Sequence, residues 1–339
     1  MQLNFTLYGS EFTYGWSPDG AQLISAEALV REAARRGFRG VEIPTRTLDN
    51  GETDIARLRA VIDELNLEVV VSAFGTETEY LQKHLVHARE LGARVLRTVI
   101  GGAAYGGDRR ALAGKWQEFM AGVRARLEPV VREARKSALV LAVENHQDAA
   151  SEDLLWLCQE LGADTFGIVL DAANPLATAE HPLTFARQVA PYVRYLHLKD
   201  YQIYWSDEGY RLVRCAVGTG VIPFQQVLAV LAEHGYTRSG SLERAAHEAR
   251  HVRCFAADYW TDYERRSAAQ LAETLGFVRQ HARPADEDFR TPFERKSSIT
   301  AIKDFEERQL RDSIRAMAPI TGDNGPLHAL ANASDGPVL

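Results

Sequence analysis

Eight times along the chain, a short run of apolar, largely β-branched residues gives way to a longer segment with apolar residues at i, i+3 and i+4. That alternation is the signature of repeated strand-helix units and a parallel sheet. The strand segments are "LNFTLY", "GVEIP", "LEVVVSAF", "RVLRTVIG", "LVLAVENH", "FGIVLDAAN", "VRYLHLKD" and "SGSLERA". Between them lie "SAEALVREAARRG", "DIARLRAVIDELN", "EYLQKHLVHARELG", "KWQEFMAGVRARLEPVVREARK", "EDLLWLCQELG", "LTFARQVAPY" and "FQQVLAVLAEHG", and "YERRSAAQLAETLGFVRQH" follows the last strand. Several helices close on Gly, which suits a left-handed C-terminal cap before the next strand. Eight units over roughly 280 residues fit an α/β fold, a single (β/α)8 TIM barrel, which typically takes ~250 residues. A doubly wound open sheet is the structural alternative.

Residues 1–281 are therefore read as a catalytic barrel and 282–339 as a C-terminal extension, partly helical. Beyond His281 the period stops at "RPADEDFRTPFERKSS", then one more helical stretch follows, "AIKDFEERQLRDSIRAM". Its apolar residues Ile299, Ile302, Phe305, Leu310, Ile314 and Met317 are expected to dock on the barrel or on a partner subunit.

With 46% hydrophobic and 25% charged residues among 339, the composition is globular. The start "MQLNFTLYGSEF" reads as lacking a secretory leader, and no uncharged apolar run reaches the ~18 residues that span a bilayer. A soluble, cytoplasmic protein without a membrane partner is expected. Cys158, Cys215 and Cys254 form no C-x-x-C pair and read as reduced and structural. A net charge of -7 and the absence of a basic stripe argue against a nucleic-acid partner.

In a barrel, inward and outward side chains alternate and helices cover the outside, so both faces stay apolar until the strand runs out. In "LVLAVENH", Val143 faces the helices while Glu144 and His146 face the mouth. By the same alternation Asp171, His197 with Lys199, and Glu243 point inward on the next three barrel strands. Active sites of this fold are assembled from such C-terminal strand ends. Three crowded carboxylates repel one another unless a cation neutralises them. Glu144, Asp171, His197 and Glu243 are therefore expected to hold one divalent metal, Mn²⁺ ahead of Mg²⁺ or Co²⁺, since three oxygens and one imidazole differ from a closed structural zinc site. Each residue alone has a plainer reading: His197 as a hydrogen-bonded core histidine, Glu243 as the partner of Arg244 or Lys199.

On "VENH", "VLDAAN", "HLKD", "GTGVIP" and "SLE", over roughly residues 1 to 280, the chain resembles the xylose isomerase-like barrels, the sugar phosphate isomerase/epimerase superfamily. The resemblance implies the same four metal ligands. It also implies proton abstraction next to the carbonyl of a keto sugar, with a Lewis-acid cation stabilising the enediolate. Ketose epimerases of this family use two metal-bound glutamates as the acid/base pair, at positions matching Glu144 and Glu243. His146 departs from that pattern, and "ENH" looks like the branch of C-glycoside deglycosidase large subunits that process 3-oxo sugars. There a separate imidazole base is expected, or a histidine that orients Glu144 through a hydrogen bond.

Lys199 is a candidate catalytic residue that polarises a carbonyl or holds a phosphate, or else a charge-balancing partner of the acids. Tyr8, Trp16, Phe74, Tyr204 and Trp205 are candidates to stack on a sugar ring. The segment "YQIYWSDEGYR" reads as the specificity loop. Glu42 is a candidate to touch the substrate, with a salt bridge to an Arg the preferred reading, and "GTGVIP" is expected as a tight turn lidding the site, with Pro223 opening a helix.

The expected function is thus a metal-dependent isomerase, epimerase or lyase acting on a small-molecule keto sugar, tilted toward lyase cleavage of a 3-oxo-glycoside. A homo-oligomer, or a hetero-oligomer with a small subunit, is expected. The alternatives are a ketose 3-epimerase, an apurinic-site endonuclease, disfavoured by the acidic charge, and a non-catalytic sugar-binding barrel.

Overall fold

A computed structural model describes residues 1–15, 23–51, 53–244, 247–321 and 327. Eight parallel strands close a barrel: β1 (Gln2–Thr6), β2 (Gly40–Pro44), β3 (Glu68–Ser72), β4 (Val95–Thr98), β5 (Val140–Glu144), β6 (Phe166–Asp171), β7 (Val193–Leu198) and, after a hairpin formed by β8 (Asp200–Ser206) and β9 (Gly209–Cys215), β10 (Ser239–Leu242). The ring runs β1-β10-β7-β6-β5-β4-β3-β2. Short strands β11 (Arg250–Val252) and β12 (Ala282–Arg283) join the hairpin in a second sheet. The helices are α1 (Ala26–Arg35), α2 (Thr45–Leu48), α3 (Ile55–Leu65), α4 (Thr78–Glu90), α5 (Trp116–Arg135), α6 (Ser151–Leu161), α7 (Pro182–Val189), α8 (Phe224–Glu233), α9 (Ala268–His281) and α10 (Ile299–Thr321). The eight strands anticipated from the hydrophobic period are the eight of the barrel, so the open-sheet alternative falls.

The alternation of side chains is visible in how the core divides. Leu141, Val143, Ile168, Leu170, Leu196 and Leu198 belong to the large cluster between barrel and helices. Val70, Val95, Ala142, Val169 and Tyr195 form a separate cluster; these residues alternate with the helix-facing ones along β3 to β7, which places them inside the barrel. Gly37 and Gly92 end their helices at φ of +83° and +71°, a conformation that side chains rarely adopt.

Two regions depart from the expected layout. The segment read as a specificity loop is the β8–β9 hairpin, paired from Asp200↔Cys215 to Ser206↔Gly209. The last barrel helix begins at Ala268 rather than near Tyr263, because the stretch before it forms β11 and a 3₁₀ turn over Ala257–Trp260. Helix α10 lies on the barrel's own surface. Its Ile302, Leu310, Ile314 and Met317 are buried. Glu306 accepts hydrogen bonds from the backbone N–H groups of Phe12 (3.0 Å) and Thr13 (2.9 Å), and Ser313 Oγ accepts one from Val217 N–H (2.9 Å). Cys158, Cys215 and Cys254 are free and buried. Among the described residues no helix is long and apolar enough to cross a membrane.

Candidate active site

Two residues beyond the apolar cluster, each of β3 to β7 presents a polar group inside the tube: Ser72, Arg97, Glu144, Asp171 and His197 in strand order. Glu42 on β2 and Glu243, one residue past β10, complete the ring. Ligand-type atoms of Glu144, Asp171, His197 and Glu243 all lie within 4.8 Å of one another, and all four residues are buried. Alternation alone brings them together.

Local hydrogen bonds aim these groups. Asp171 Oδ1 accepts the N–H groups of Ala173 (2.9 Å) and Asn174 (3.0 Å), which turns Oδ2 toward the cluster. Asn145, pointing the other way from Glu144, accepts from Asp171 N–H (2.7 Å) and donates to Asp171 C=O (3.0 Å), fixing the end of β5 against β6. Arg97 holds Glu144 Oε2 with Nε at 2.6 Å and with Nη2. Lys199 Nζ sits 2.8 Å from Asp171 Oδ2 and contacts Glu243 Oε1. His197 Nδ1 lies 3.0 Å from Glu243 Oε2 and 3.3 Å from Glu144 Oε2, while Nε2 lies 3.0 Å from Glu42 Oε2.

Those close approaches do not satisfy the groups. Glu144 Oε1, Asp171 Oδ2, His197 Nδ1 and Glu243 Oε2, one atom from each residue, are buried without an aligned hydrogen-bond partner. Buried polar atoms are ordinarily paired. Four buried ligand-type groups within 4.8 Å of one another, their contacts to Lys199 and to each other not aligned as hydrogen bonds, fit a divalent cation with oxygen and nitrogen preference.

Electrostatics tell the same story. Burial alone would raise the pKa of Glu144, yet the charges of Arg97 and His197 hold it well below the usual carboxylate range. Burial likewise opposes ionisation of Glu243, but Lys199 and His197 bring it down to about 2. Asp171, where burial wins over Lys199, is pushed up to about 6. Burial disfavours the imidazolium form of His197, and the surrounding Glu42 and Glu144 overcome it and raise its pKa. The acids draw positive charge into the ring from whatever source lies near.

Above the ring opens a pocket of about 290 Å³ whose wall includes Tyr8, Phe74, Arg97, Tyr105, His146, Lys199 and Glu243, with Arg214 and Arg250 farther round. Burial lowers the pKa of His146 to about 4, leaving a neutral imidazole at pH 7. Its ring meets Tyr105 edge-on at 6.2 Å between centroids. Glu144 is oriented by Arg97 and not by a hydrogen bond from His146.

Several expectations need correction. Glu42 is not in a salt bridge with an Arg; its carboxylate faces His197. Tyr204 lies outside the pocket, because alternation along β8 turns it to the opposite sheet face from Tyr201, where its ring meets Phe289 at 6.1 Å. Trp205 shares the face of Tyr201 but sits four residues along, about 13 Å at ~3.3 Å per residue, against Phe255 at 5.4 Å. Phe74 does reach the pocket; Trp16 lies outside the described residues. The "GTGVIP" turn does not lid the site: the N–H groups of Gly218 (3.0 Å), Gly220 (2.8 Å) and Ile222 (3.1 Å) donate to the carboxylate of Asp200. Pro223 does stand at the start of α8. Glu243 takes Lys199 as its partner, and Arg244 instead donates to Ser10 Oγ (2.7 Å).

Arg97, Tyr105, Arg214 and Arg250 were not anticipated. Arg97 was legible by the same alternation that exposes the acids. The other three come from loops and added strands with no common spacing.

Known proteins share this architecture. The chain is 26% identical over 207 residues to a 3-oxo-isoapionate decarboxylase of Pectobacterium atrosepticum, covering 59% of this chain and 70% of that protein. It is 26% identical over 211 residues to the Escherichia coli (strain K12) protein YihM, covering 60% of this chain and 61% of that protein, less than two thirds of its length. The structure of an L-ribulose 3-epimerase superposes with a TM-score of 0.56 at 18% identity over 99% of both chains, a likeness of fold. Residues 30–281 match the sequence family of xylose isomerase-like TIM barrels, and the chain belongs to that family.

Proposed function

We propose that the protein is a divalent-metal-dependent enzyme that removes a proton next to the carbonyl of a keto sugar and cleaves a 3-oxo-glycoside by β-elimination, as C-glycoside deglycosidases do. The observation that carries this reading is the set of four buried ligand-type groups within 4.8 Å of one another, beside a pocket walled by the imidazole of His146. Glu144, Asp171, His197 and Glu243 would hold the ion, with Mn²⁺ preferred over Mg²⁺ or Co²⁺ for a site of three oxygens and one nitrogen. A bound cation of this kind supplies Lewis-acid stabilisation of negative charge developing on a carbonyl oxygen.

The chain's own groups do the rest. His146 accepts the proton from the carbon between the ketone and the anomeric centre; a new carbon–carbon double bond forms, and the bond to the aglycone breaks with its electron pair, which is then protonated. Burial keeps the imidazole unprotonated at pH 7 and so able to accept that proton. Arg97 and Lys199 keep Glu144 and Glu243 ionised and in place, so these carboxylates serve as ligands while the imidazole moves the proton. Tyr8 and Phe74 offer flat faces for the sugar ring at the pocket wall. The Pectobacterium relative's name supports the chemistry: loss of CO₂ beside a ketone, like loss of a proton, leaves an electron pair on the carbon next to a carbonyl. The reading places catalysis in residues 1–281, with 282–339 as an accessory extension.

The test is incubation in D₂O with Mn²⁺ and a panel of 3-oxo-glycosides and free ketoses. Aglycone release from a 3-oxo-glycoside, abolished by chelation, is the expected result. Deuterium entering a free ketose without any cleavage would assign epimerisation instead, and no metal-dependent exchange in either class would refute the proposal.

A further inference from the structure

The net charge of the chain is -7, yet one wall of the pocket is cationic. Arg214 on β9 and Arg250 on β11 both line it. Their proximity follows from register: Arg250 pairs with Leu212, and Arg214 stands two residues from Leu212, so both side chains leave the same sheet face as diagonal neighbours. Tyr201, opposite Arg214, occupies that face too. Its hydroxyl donates to Asn174 Oδ1 (3.0 Å) and accepts from Gln147 (3.1 Å), so it is already engaged.

Each guanidinium keeps a buried donor that no acceptor meets. The Arg214 side chain has no ion pair or hydrogen bond with any described residue, and its Nη2 is buried without an acceptor. Arg250 is 7% exposed; its Nη1 reaches Glu248 at 2.7 Å, its plane lies 3.5 Å from the centroid of the Tyr105 ring, and its Nε is buried without an acceptor. Glu11, the other acid of that rim, is taken by His247 at 2.9 Å. Burial and the charge of Arg214 both lower the pKa of Arg250, the signature of like charges forced together. Two cations on one sheet face, Arg250 buried and Arg214 half-buried, cost stability when donors stay unused unless an anion joins them.

We infer that the keto sugar bears an anionic oxygen group, a carboxylate or a phosphate, which Arg214 and Arg250 clamp at the rim while the keto end lies toward the four converging donors. Guanidinium forks match either group through paired N–H bonds. Tyr105, stacked on Arg250 and edge-on to His146, links the clamp to the imidazole. This rests on the keto-sugar reading for the identity of the substrate, though the clamp itself is read from the arginines alone.

Calorimetric titration with D-glucuronate, D-glucose 6-phosphate and D-glucose tests it, on the Mn²⁺-loaded wild type and on Arg214→Gln, Arg250→Gln, the double variant and Arg214→Lys. At least one anionic probe should bind roughly 10- to 100-fold more tightly than glucose. That ratio should fall to within about threefold in the double variant and be partly kept by Arg214→Lys, which retains the charge. Preference for glucuronate assigns a carboxylate, and preference for glucose 6-phosphate a phosphate. Equal binding of all three probes by the wild type, or a ratio unchanged in the double variant, overturns the inference. Because the ratio is read without turnover, a protein that keeps it but shows no metal-dependent exchange refutes the proposed reaction alone, while exchange without the ratio refutes only the clamp.

Discussion

Two layers of the barrel interior lie only two residues apart along the same strands, and they could hardly differ more. The lower layer, Val70, Val95, Ala142, Val169 and Tyr195, is apolar but for one hydroxyl; the upper, Ser72, Arg97, Glu144, Asp171 and His197, is almost wholly charged. Both are buried, so burial does not explain the difference. Moving an ion out of water costs several kcal/mol, and replacing buried ion pairs by packed apolar residues is often neutral or stabilising. A barrel optimised for stability alone would repeat the valines to its mouth. The lower layer holds the tube together, and on the proposed reading the upper one serves what it binds, in line with the division of labour between the two faces of this fold.

The comparison breaks most severely if the upper layer proves dispensable. Glu144→Gln or Glu243→Gln should cut turnover by about 10³-fold or more, measured as aglycone release, and should also lower the melting temperature, because Arg97 or Lys199 is left buried without its carboxylate partner. His146→Ala should lower turnover by about 10²-fold with the bound metal content unchanged, because His146 lies on the pocket wall and outside the four donors. Normal turnover of this variant would mean that the base lies elsewhere. A smaller effect is expected of Glu42→Gln. Its carboxylate faces His197 from the far side of the ring, so the loss is an orienting charge, worth roughly 10- to 100-fold in Mn²⁺ affinity by competition with a chelating dye. At the low end, Val169→Ala in the lower layer should cost roughly 1–3 kcal/mol in urea unfolding and leave the turnover of the folded enzyme near normal. A Val169→Ala protein as stable as wild type would erase the contrast between the layers.

How much of this was written in the sequence depended on period. The strand "GVEIP" is β2 as it stands, since Gly and Pro bracket an apolar run, and Glu144, Asp171, His197 and Glu243 emerge from two-residue alternation alone. Arg97 obeys the same rule, but a cation carries no metal-ligand signal of its own. The β8–β9 hairpin carries its own signal, an alternating aromatic strand broken at "DEG", and its pairing sends Tyr204 to the face opposite Tyr201. Tyr105, Arg214 and Arg250 had no signal of this kind. They meet because a hairpin and a short strand fold over the mouth, a long-range arrangement that local spacing does not encode. Whether "AIKDFEERQLRDSIRAM" covers the barrel or a partner was equally open in sequence, since the apolar stripe suits both. In this chain Glu306 accepts hydrogen bonds from the backbone N–H groups of Phe12 and Thr13.

Titration of metal-stripped protein with Mn²⁺, followed by calorimetry and checked by elemental analysis, tests the central claim most directly. One ion per chain should bind the wild type, and the Glu144→Gln/Glu243→Gln double variant should lose that site while remaining folded. Absence of stoichiometric binding, or equal affinity in the double variant, would contradict a metal centre built from these four side chains.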